Sequence, residues 1–467
     1  MWSTPNPNVP LATISLVCQH WRQTAIGAKE LWTHVVAGVT DQDPEILRRM
    51  FELFLKRSGS YPLSVSILQV RGSNDVPFTL DAMEPHVRRL RRLSVDTPCT
   101  GALISQHAPV LEEFKMDATR GVGTLSRVFG GSTPRLRMLD LTGCVPWPTN
   151  RFRDLSTLAL SRVKIENLDH LFFMLEDSPC LEHLYLRECL FRTLIQSNGT
   201  TLQRPAKVHS LRTLSLAQFS VEEISGLLHS LSFPQDGLAM RFEDVQTSDP
   251  KGIVYFTHAF PSGFPPGLIM FNATSFDFQV TPGFCTFHAV GQHVATAIQW
   301  RPLDDLSILV AMRHIAQSPF NLLKELWISF HGIATCAYIS FDFPVLELLV
   351  VGQEPSSLHG LPLMLNPRKG VVPSPRIATV VARGQVHVAN FANVLRARAD
   401  AGCRLKTLRM KDRRGEYCLL PLEREVDELQ LLDELDEIME LPETCKTDLG
   451  ERWLSWRRDR PSPPAMT

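Results

Sequence analysis

The chain has 467 residues, a formal net charge of -1, 44% hydrophobic residues and 21% charged residues, close to the averages of globular proteins. Near-neutral charge excludes a global attraction to nucleic acid or anionic lipid. With no uninterrupted apolar run of about 18 residues, no segment reads as a membrane-spanning helix.

The ten cysteines form no Cys-x-x-Cys pair, and the closest two are Cys180 and Cys189, which argues against a zinc ribbon or a dithiol redox site. A reduced cytoplasmic or nuclear setting is expected. Met1 is followed by WSTPNPNVP, which has neither the basic nor the apolar region of a secretory signal.

In chain order, residues 10–35 come first. Ile14, Val17, Cys18, Trp21 and Ala25 recur at spacings of three and four, which predicts one apolar face of a helix ending at Gly27. Leu31, Trp32 and Val35 form a second apolar cluster, in a unit too short to bury two tryptophans by itself. The run LVCQHWRQTAIGAKELW resembles the C-terminal half of an F-box, in which a Val-Cys-x-x-Trp-Arg helix precedes a Leu-Trp pair. The segment PEILRRMFELFLKRSGSYPLSVSI resembles the connecting segment of the F-box-like family expanded in mushroom-forming fungi. About nine residues, MWSTPNPNV, stand where the first half of an F-box would lie. The resemblance implies adaptor contacts from Leu16, Val17, Cys18, Trp21, Leu31 and Trp32, the partner being a Skp-type adaptor of a cullin ligase.

Residues 41–58 carry a 3.6-period stripe of Ile46, Leu47, Met50, Phe51, Phe54 and Leu55 behind Asp43-Pro44, a helix start. PLSVSIL alternates as a strand. RRLRRLSVD, with Arg88, Arg89, Arg91 and Arg92, is the densest basic cluster and reads as a solvated face, since no aromatic rings interleave to stack on bases.

From there the phrase Leu-x-x-Leu-x-Leu and its apolar variants recur, starting at Leu90, Leu111, Leu136, Leu155, Leu181, Leu211, Leu323 and Leu405, with weaker copies at Leu346 and Ile377. Neighbouring starts mostly lie 19 to 31 residues apart, near the period of leucine-rich repeats. The expectation is an α/β leucine-rich-repeat solenoid, a horseshoe, preceded by a short helical partial F-box. Its parts are residues 1–40 as F-box-like helices, 41–86 as connector helix and strand, 87–412 as the solenoid, degenerate at about 217–322, and 413–467 as an acidic cap helix with a disordered tail. In the degenerate part GLAMRF and TSFDFQ read as worn repeats and DDLSILVAMRHIAQS as a helix.

Residues alternating with the buried leucines are candidates for target binding: His183, Tyr185 and Arg187 in LEHLYLR, and Glu325, Trp327 and Ser329 in LKELWIS. Tyr, Trp and Arg on a rigid surface dominate protein interfaces. Cys144 and Cys189 follow the last leucine of their phrases by three residues and read as structural turn cysteines. From Glu423 to Glu443 acidic residues prevail, with Val426, Leu429, Leu432, Leu435 and Ile438 every third position, read as the cap helix and alternatively as a recruiting segment for a basic partner.

Gly-x-x-x-x-Gly-Lys-Ser/Thr, Gly-x-Ser-x-Gly, His-Glu-x-x-His and Gly-x-Gly-x-x-Gly are all missing from the sequence, so no enzyme, cofactor or metal is expected. The resemblance implies a non-catalytic substrate-recognition subunit of an SCF-type cullin ubiquitin ligase, holding a target protein on its repeats. The alternative is an interaction scaffold that has lost adaptor binding. Neither nucleic acid nor membrane is an expected partner.

Overall fold

A computed structural model describes residues 13–14, 16–37, 44–67, 82–96, 105–119, 128–144, 150, 152–165, 168–191, 205–234, 237–246, 275–281, 284–291, 295–300, 322–330, 343–352, 361–362, 364–367, 371–383, 386–411 and 419–432. The chain divides into two units, Met1–Leu211 with Ser230–Ser232, and Arg212–His229 with Phe233–Thr467.

In the first unit, helix α1 (Gln19–Gly27) and a 3-10 turn (Lys29–Trp32) lead into strand β1 (His34–Ala37). Helix α2 (Pro44–Arg57) matches the predicted stripe, and strand β2 (Leu63–Ile67) the predicted alternation. Strands β3 (Leu90–Val95), β4 (Glu113–Asp117), β5 (Met138–Thr142) and β6 (Thr157–Ser161), helix α3 (Leu168–Asp177) and strand β7 (His183–Arg187) follow. All seven strands pair in parallel, each with the next in sequence.

The register explains the core. Val35, Val65, Leu93, Phe114, Leu139, Leu158 and Leu184 lie side by side across the seven strands, and all are buried. Two residues further along each strand, Ala37, Ile67, Val95, Met116, Leu141, Leu160 and Leu186 form a second buried row. Burying each large aliphatic side chain contributes roughly 1.5–3 kcal/mol. In three of the phrases the opening leucine sits in the turn before the strand: Leu111, Leu136 and Leu181 are buried, and their N–H groups donate to Ala108, Thr133 and Ser178 carbonyls.

Side chains brace these turns. Asn150, buried, accepts from the Val128 N–H at 2.8 Å and donates to the Val128 carbonyl at 2.6 Å. Ser178 donates to the Phe152 carbonyl at 2.6 Å. After β5, β6 and β7 the next residue turns left-handed, Gly143 (φ 69°), Arg162 (φ 54°) and Glu188 (φ 51°), and the one beyond it, Cys144, Val163 or Cys189, is buried.

The second unit contains β8 (Thr213–Ala217), α4 (Val221–His229), β9 (Ala239–Val245), β10 (Ser275–Thr281), β11 (Phe284–Val290), β12 (Ala295–Trp300) and β13 (Glu325–Phe330). It continues with β14 (Leu348–Val351), β15 (Thr379–Ala382), α5 (Val388–Asp400), β16 (Leu405–Lys411), α6 (Leu420–Glu423) and β17 (Val426–Leu432). Strand β9 pairs in parallel with β8 and with β12, β11 runs antiparallel between β12 and β10, and β10 pairs in parallel with β13. From β13 to β17 each strand pairs in parallel with the next. A capping box starts α4: the Ser220 N–H donates to Glu223 Oε2 at 2.9 Å and the Glu223 N–H to Ser220 Oγ at 3.2 Å.

These observations correct the expected leucine-rich-repeat horseshoe. The described residues build an α/β fold on a large, mostly parallel sheet, with strand β11 reversed. Between strands lie a ten-residue helix in one place and a three-residue 3-10 turn in another. Nor do helices simply precede the sheet, because β1 and β2 belong to it. The physical reason is that Leu-x-x-Leu-x-Leu reports one turn leucine and two inward positions of a buried parallel strand, whatever the strand's return looks like.

Two further readings change. GLAMRF and TSFDFQ fall in ordinary seven-residue strands, β9 and β10, whereas DDLSILVAMRHIAQS lies outside the described residues. The predicted acidic helix is strand β17 up to Leu432. Its acidic neighbourhood is matched within the chain: Arg396 pairs with Glu425 at 2.8 Å and Arg404 with Asp427 at 2.8 Å, while Arg409 donates to Gln430 at 2.9 Å. No helix among the described residues is long and apolar enough to cross a membrane.

Candidate functional site

The F-box-like residues divide sharply by burial. Cys18 is extended (φ -159°, ψ 172°) and its Sγ accepts from the Trp21 N–H at 3.5 Å, so it caps α1 and interrupts the single helical face expected from Ile14 to Ala25. Leu16 and Val17 precede that cap. They are exposed, as are Cys18, Trp21, Ile26 and Leu31, and Trp21 is 53% exposed.

Trp32 is 2% exposed. Its Nε1 donates to the Ala25 carbonyl at 2.6 Å, its ring meets Phe54 edge-on with centroids 4.9 Å apart, and the Arg57 guanidinium lies 4.3 Å from the ring centroid. Trp32 is therefore the post that fastens α1 to α2 and is removed from the adaptor-contact set. The exposed apolar residues that remain are large side chains for which the described part of the fold offers no cover.

The arginine cluster also divides. Arg89 turns inward, donating through Nη1 to Ser58 Oγ (2.9 Å) and the Tyr61 carbonyl (3.2 Å), and through Nη2 to the Leu55 carbonyl (2.8 Å). A cation there satisfies the orphan carbonyls at the C-terminus of α2 and opposes its dipole. Burial lowers its pKa from the ordinary arginine value. Arg91 and Arg92 pair with Glu112 (2.7 Å) and Glu113 (3.0 Å). The solvated face expected of the cluster therefore holds for only part of it.

The second candidate is the outward face of strands β1–β7. One row there runs His34, Ser64, Arg92, Glu113, Met138, Thr157, His183, and the next runs Val36, Ser66, Ser94, Lys115, Asp140, Ala159, Tyr185. His183, Tyr185 and Arg187 thus lie at the β7 end of rows continued by polar groups of which sequence reasoning singled out Arg92 alone, as part of the basic cluster. His183 is 5% exposed and stacks on Tyr185 with centroids 6.3 Å apart and planes 12° apart. Burial pushes the Tyr185 hydroxyl well above the ordinary tyrosine range. Arg187 is exposed.

At the β1–β4 end the same face forms a hollow of about 280 Å³. Arg92 bridges to Glu113 and Lys115 to Asp140 at 3.2 Å, in each case with the cation on the earlier strand. Its signal in the sequence is the polar half of the alternation in PLSVSIL, LRRLSV and LEEFKMD.

In the second unit, Glu325 accepts from Ser275 Oγ at 3.0 Å, and Ser329 stands opposite Gln279 in the register. Trp327 is 4% exposed and packs with Val350 and Val381, with Arg383 5.2 Å from the ring centroid. The expectation of an exposed Trp327 is corrected: the next two strands place valines in its register, and all three side chains are buried.

Cys144 and Cys189 are buried free thiols whose Sγ atoms lie 3.5 Å from the Thr142 and Arg187 carbonyls. Burial pushes both thiols up to about 12, which keeps them protonated and poorly nucleophilic. Among the described residues, no group of three His, Cys, Asp or Glu side chains is placed to hold a metal ion. No family model and no curated protein matches the chain.

Proposed function

We propose that the chain is a non-catalytic substrate-recognition subunit of an SCF-type cullin ubiquitin ligase, working in the cytoplasm or nucleus. The observation that carries this is the exposed apolar set Leu16, Val17, Trp21, Ile26 and Leu31, within a segment whose sequence resembles half an F-box. Those residues hold a Skp-type adaptor, and the polar face of β1–β7, ending in Tyr185 and Arg187, holds a target protein. The mechanism is tethering: binding both partners raises the effective concentration of target lysines near the conjugating enzyme, with no residue of this chain entering the chemistry.

The test is co-purification with the adaptor. Trp21→Ala should weaken adaptor binding by about thirtyfold, the effect of losing a hot-spot side chain worth about 2 kcal/mol, with an unchanged melting temperature. Trp32→Ala should instead lower the melting temperature, because it empties a packed and hydrogen-bonded site. Absence of adaptor binding by the unaltered chain would overturn the ligase reading and leave the second one, a stand-alone interaction scaffold.

A further inference from the structure

We infer that the hollow over β1–β4 is a binding site for a phosphate monoester. The argument begins with donors. Ser64 and Ser66 on β2 and Ser94 on β3 all project onto this face, Ser66 directly beside Ser94 and Ser64 beside Arg92. Their hydroxyls have no hydrogen-bond partner among the described residues. Adjacent strands lie about 4.8 Å apart and alternate residues about 7 Å apart, so these four positions outline a patch the size of one tetrahedral anion and its contacts.

The charges are arranged to suit it. Arg92 engages Glu113 through Nε, leaving its Nη groups as donors, and Lys115 engages Asp140 with one of three ammonium hydrogens. In both pairs the carboxylate stands on the strand farther from the serines. The cations thus occupy the serine side of each pair in the register, and the Glu113 carboxylate, which also lines the hollow, is neutralised by Arg92. Guanidinium and ammonium donors next to neutral hydroxyls suit a dianion with three terminal oxygens better than a carboxylate with two. Of the two rings in the lining, Phe114 is 1% exposed and belongs to the core, and the other is the imidazole of the exposed His34 beside Ser64.

The phosphate can be carried by a phosphorylated target segment or by a small phosphorylated compound. Only the first rests on the target-binding reading above. The experiment is a calorimetric titration of the full chain with inorganic phosphate and with a phosphoserine peptide library against its unphosphorylated counterpart. Phosphate should bind, and Arg92→Gln or the Ser66→Ala/Ser94→Ala pair should weaken it about tenfold, the effect of losing a charge-assisted hydrogen bond or two neutral ones, with an unchanged melting temperature. Retention of the phosphorylated library alone would assign the source to a target segment. Phosphate binding without library retention would uphold the site, assign it to a small compound and count against target binding at this face. No binding of phosphate at about 10 mM, or binding unaffected in both variants, would overturn the proposal while leaving adaptor co-purification untouched.

Discussion

The two units use parallel strands in the same way and finish their outward faces oppositely. In the first, the rows through Ser64 and Ser66 carry hydroxyls and lateral ion pairs, and Arg92 and Lys115 remain about half exposed. In the second, the adjacent Trp327, Val350 and Val381 form an apolar stretch at most 4% exposed, between Asp277 and Arg409 in the same row. Strand pairing fixes only that neighbours on one face meet; whether that face opens to solvent is decided by two or three side chains in the same row.

The largest expected effect follows from that contrast. Trp327→Ala should destabilise the second unit by about 3–5 kcal/mol, as for a buried aromatic replaced by a small side chain. Trp327→Phe should cost distinctly less, because the indole Nε1 has no hydrogen-bond partner among the described residues and its removal relieves a buried donor. Lys115→Ala, on the open face, should cost no more than about 1 kcal/mol, the ceiling for exposed ion pairs. Denaturant midpoints of the three variants test the ordering, and equal losses for Trp327→Ala and Lys115→Ala would erase the distinction between the faces.

The same contrast shows what was legible in the sequence. Strand positions were, because a buried parallel strand with its turn leucine leaves a repeated apolar phrase, and α2 was, because its stripe is strong. Which of Trp21 and Trp32 is buried was not: Trp32 is chosen by Phe54 and Arg57, residues remote in sequence. The interruption before α1 depends on one thiol accepting one N–H. Strand β17 was mistaken for helix since its three-residue spacing suits neither period, and Arg396 and Arg404, which match its charge, come from other segments. The Ser-x-x-Glu box at Ser220 was legible and went unread. The hollow needed the register: its serines come from two strands, and only pairing sets them side by side.

Alkaline pH separates the units next. Burial pushes Cys144 and Cys189 in the first unit, and Cys285 in the second, up to about 12, while an unfolded thiol titrates near 8.5. The unfolded chain therefore loses these protons first, and stability present below about pH 8.5 is lost as pH rises toward 12, by at most about 1.4 kcal/mol per thiol per pH unit. Among the described residues the first unit has two such thiols, and Tyr185 shifted the same way, so it should lose stability more steeply. Thermal melts between pH 8 and 11 should show that, and Cys144→Ala with Cys189→Ala should flatten the slope.

The smallest effects concern the left-handed turns of the first unit, and they discriminate between two kinds of residue at equivalent positions. A Cβ at Gly143 would lie 3.0 Å from the Thr119 N and 3.1 Å from the Ala118 C, both backbone atoms, so Gly143→Ala meets strain and contact together and should cost about 1–3 kcal/mol. Glu188 holds φ 51° with a side chain already in place, paired with the exposed Arg162 at 2.7 Å. Glu188→Gly removes a surface ion pair worth under about 1 kcal/mol and releases a comparable backbone cost. Its midpoint should shift by no more than about 0.5 kcal/mol. A loss matching that of Gly143→Ala would mean that the ion pair, rather than the backbone, holds the turn.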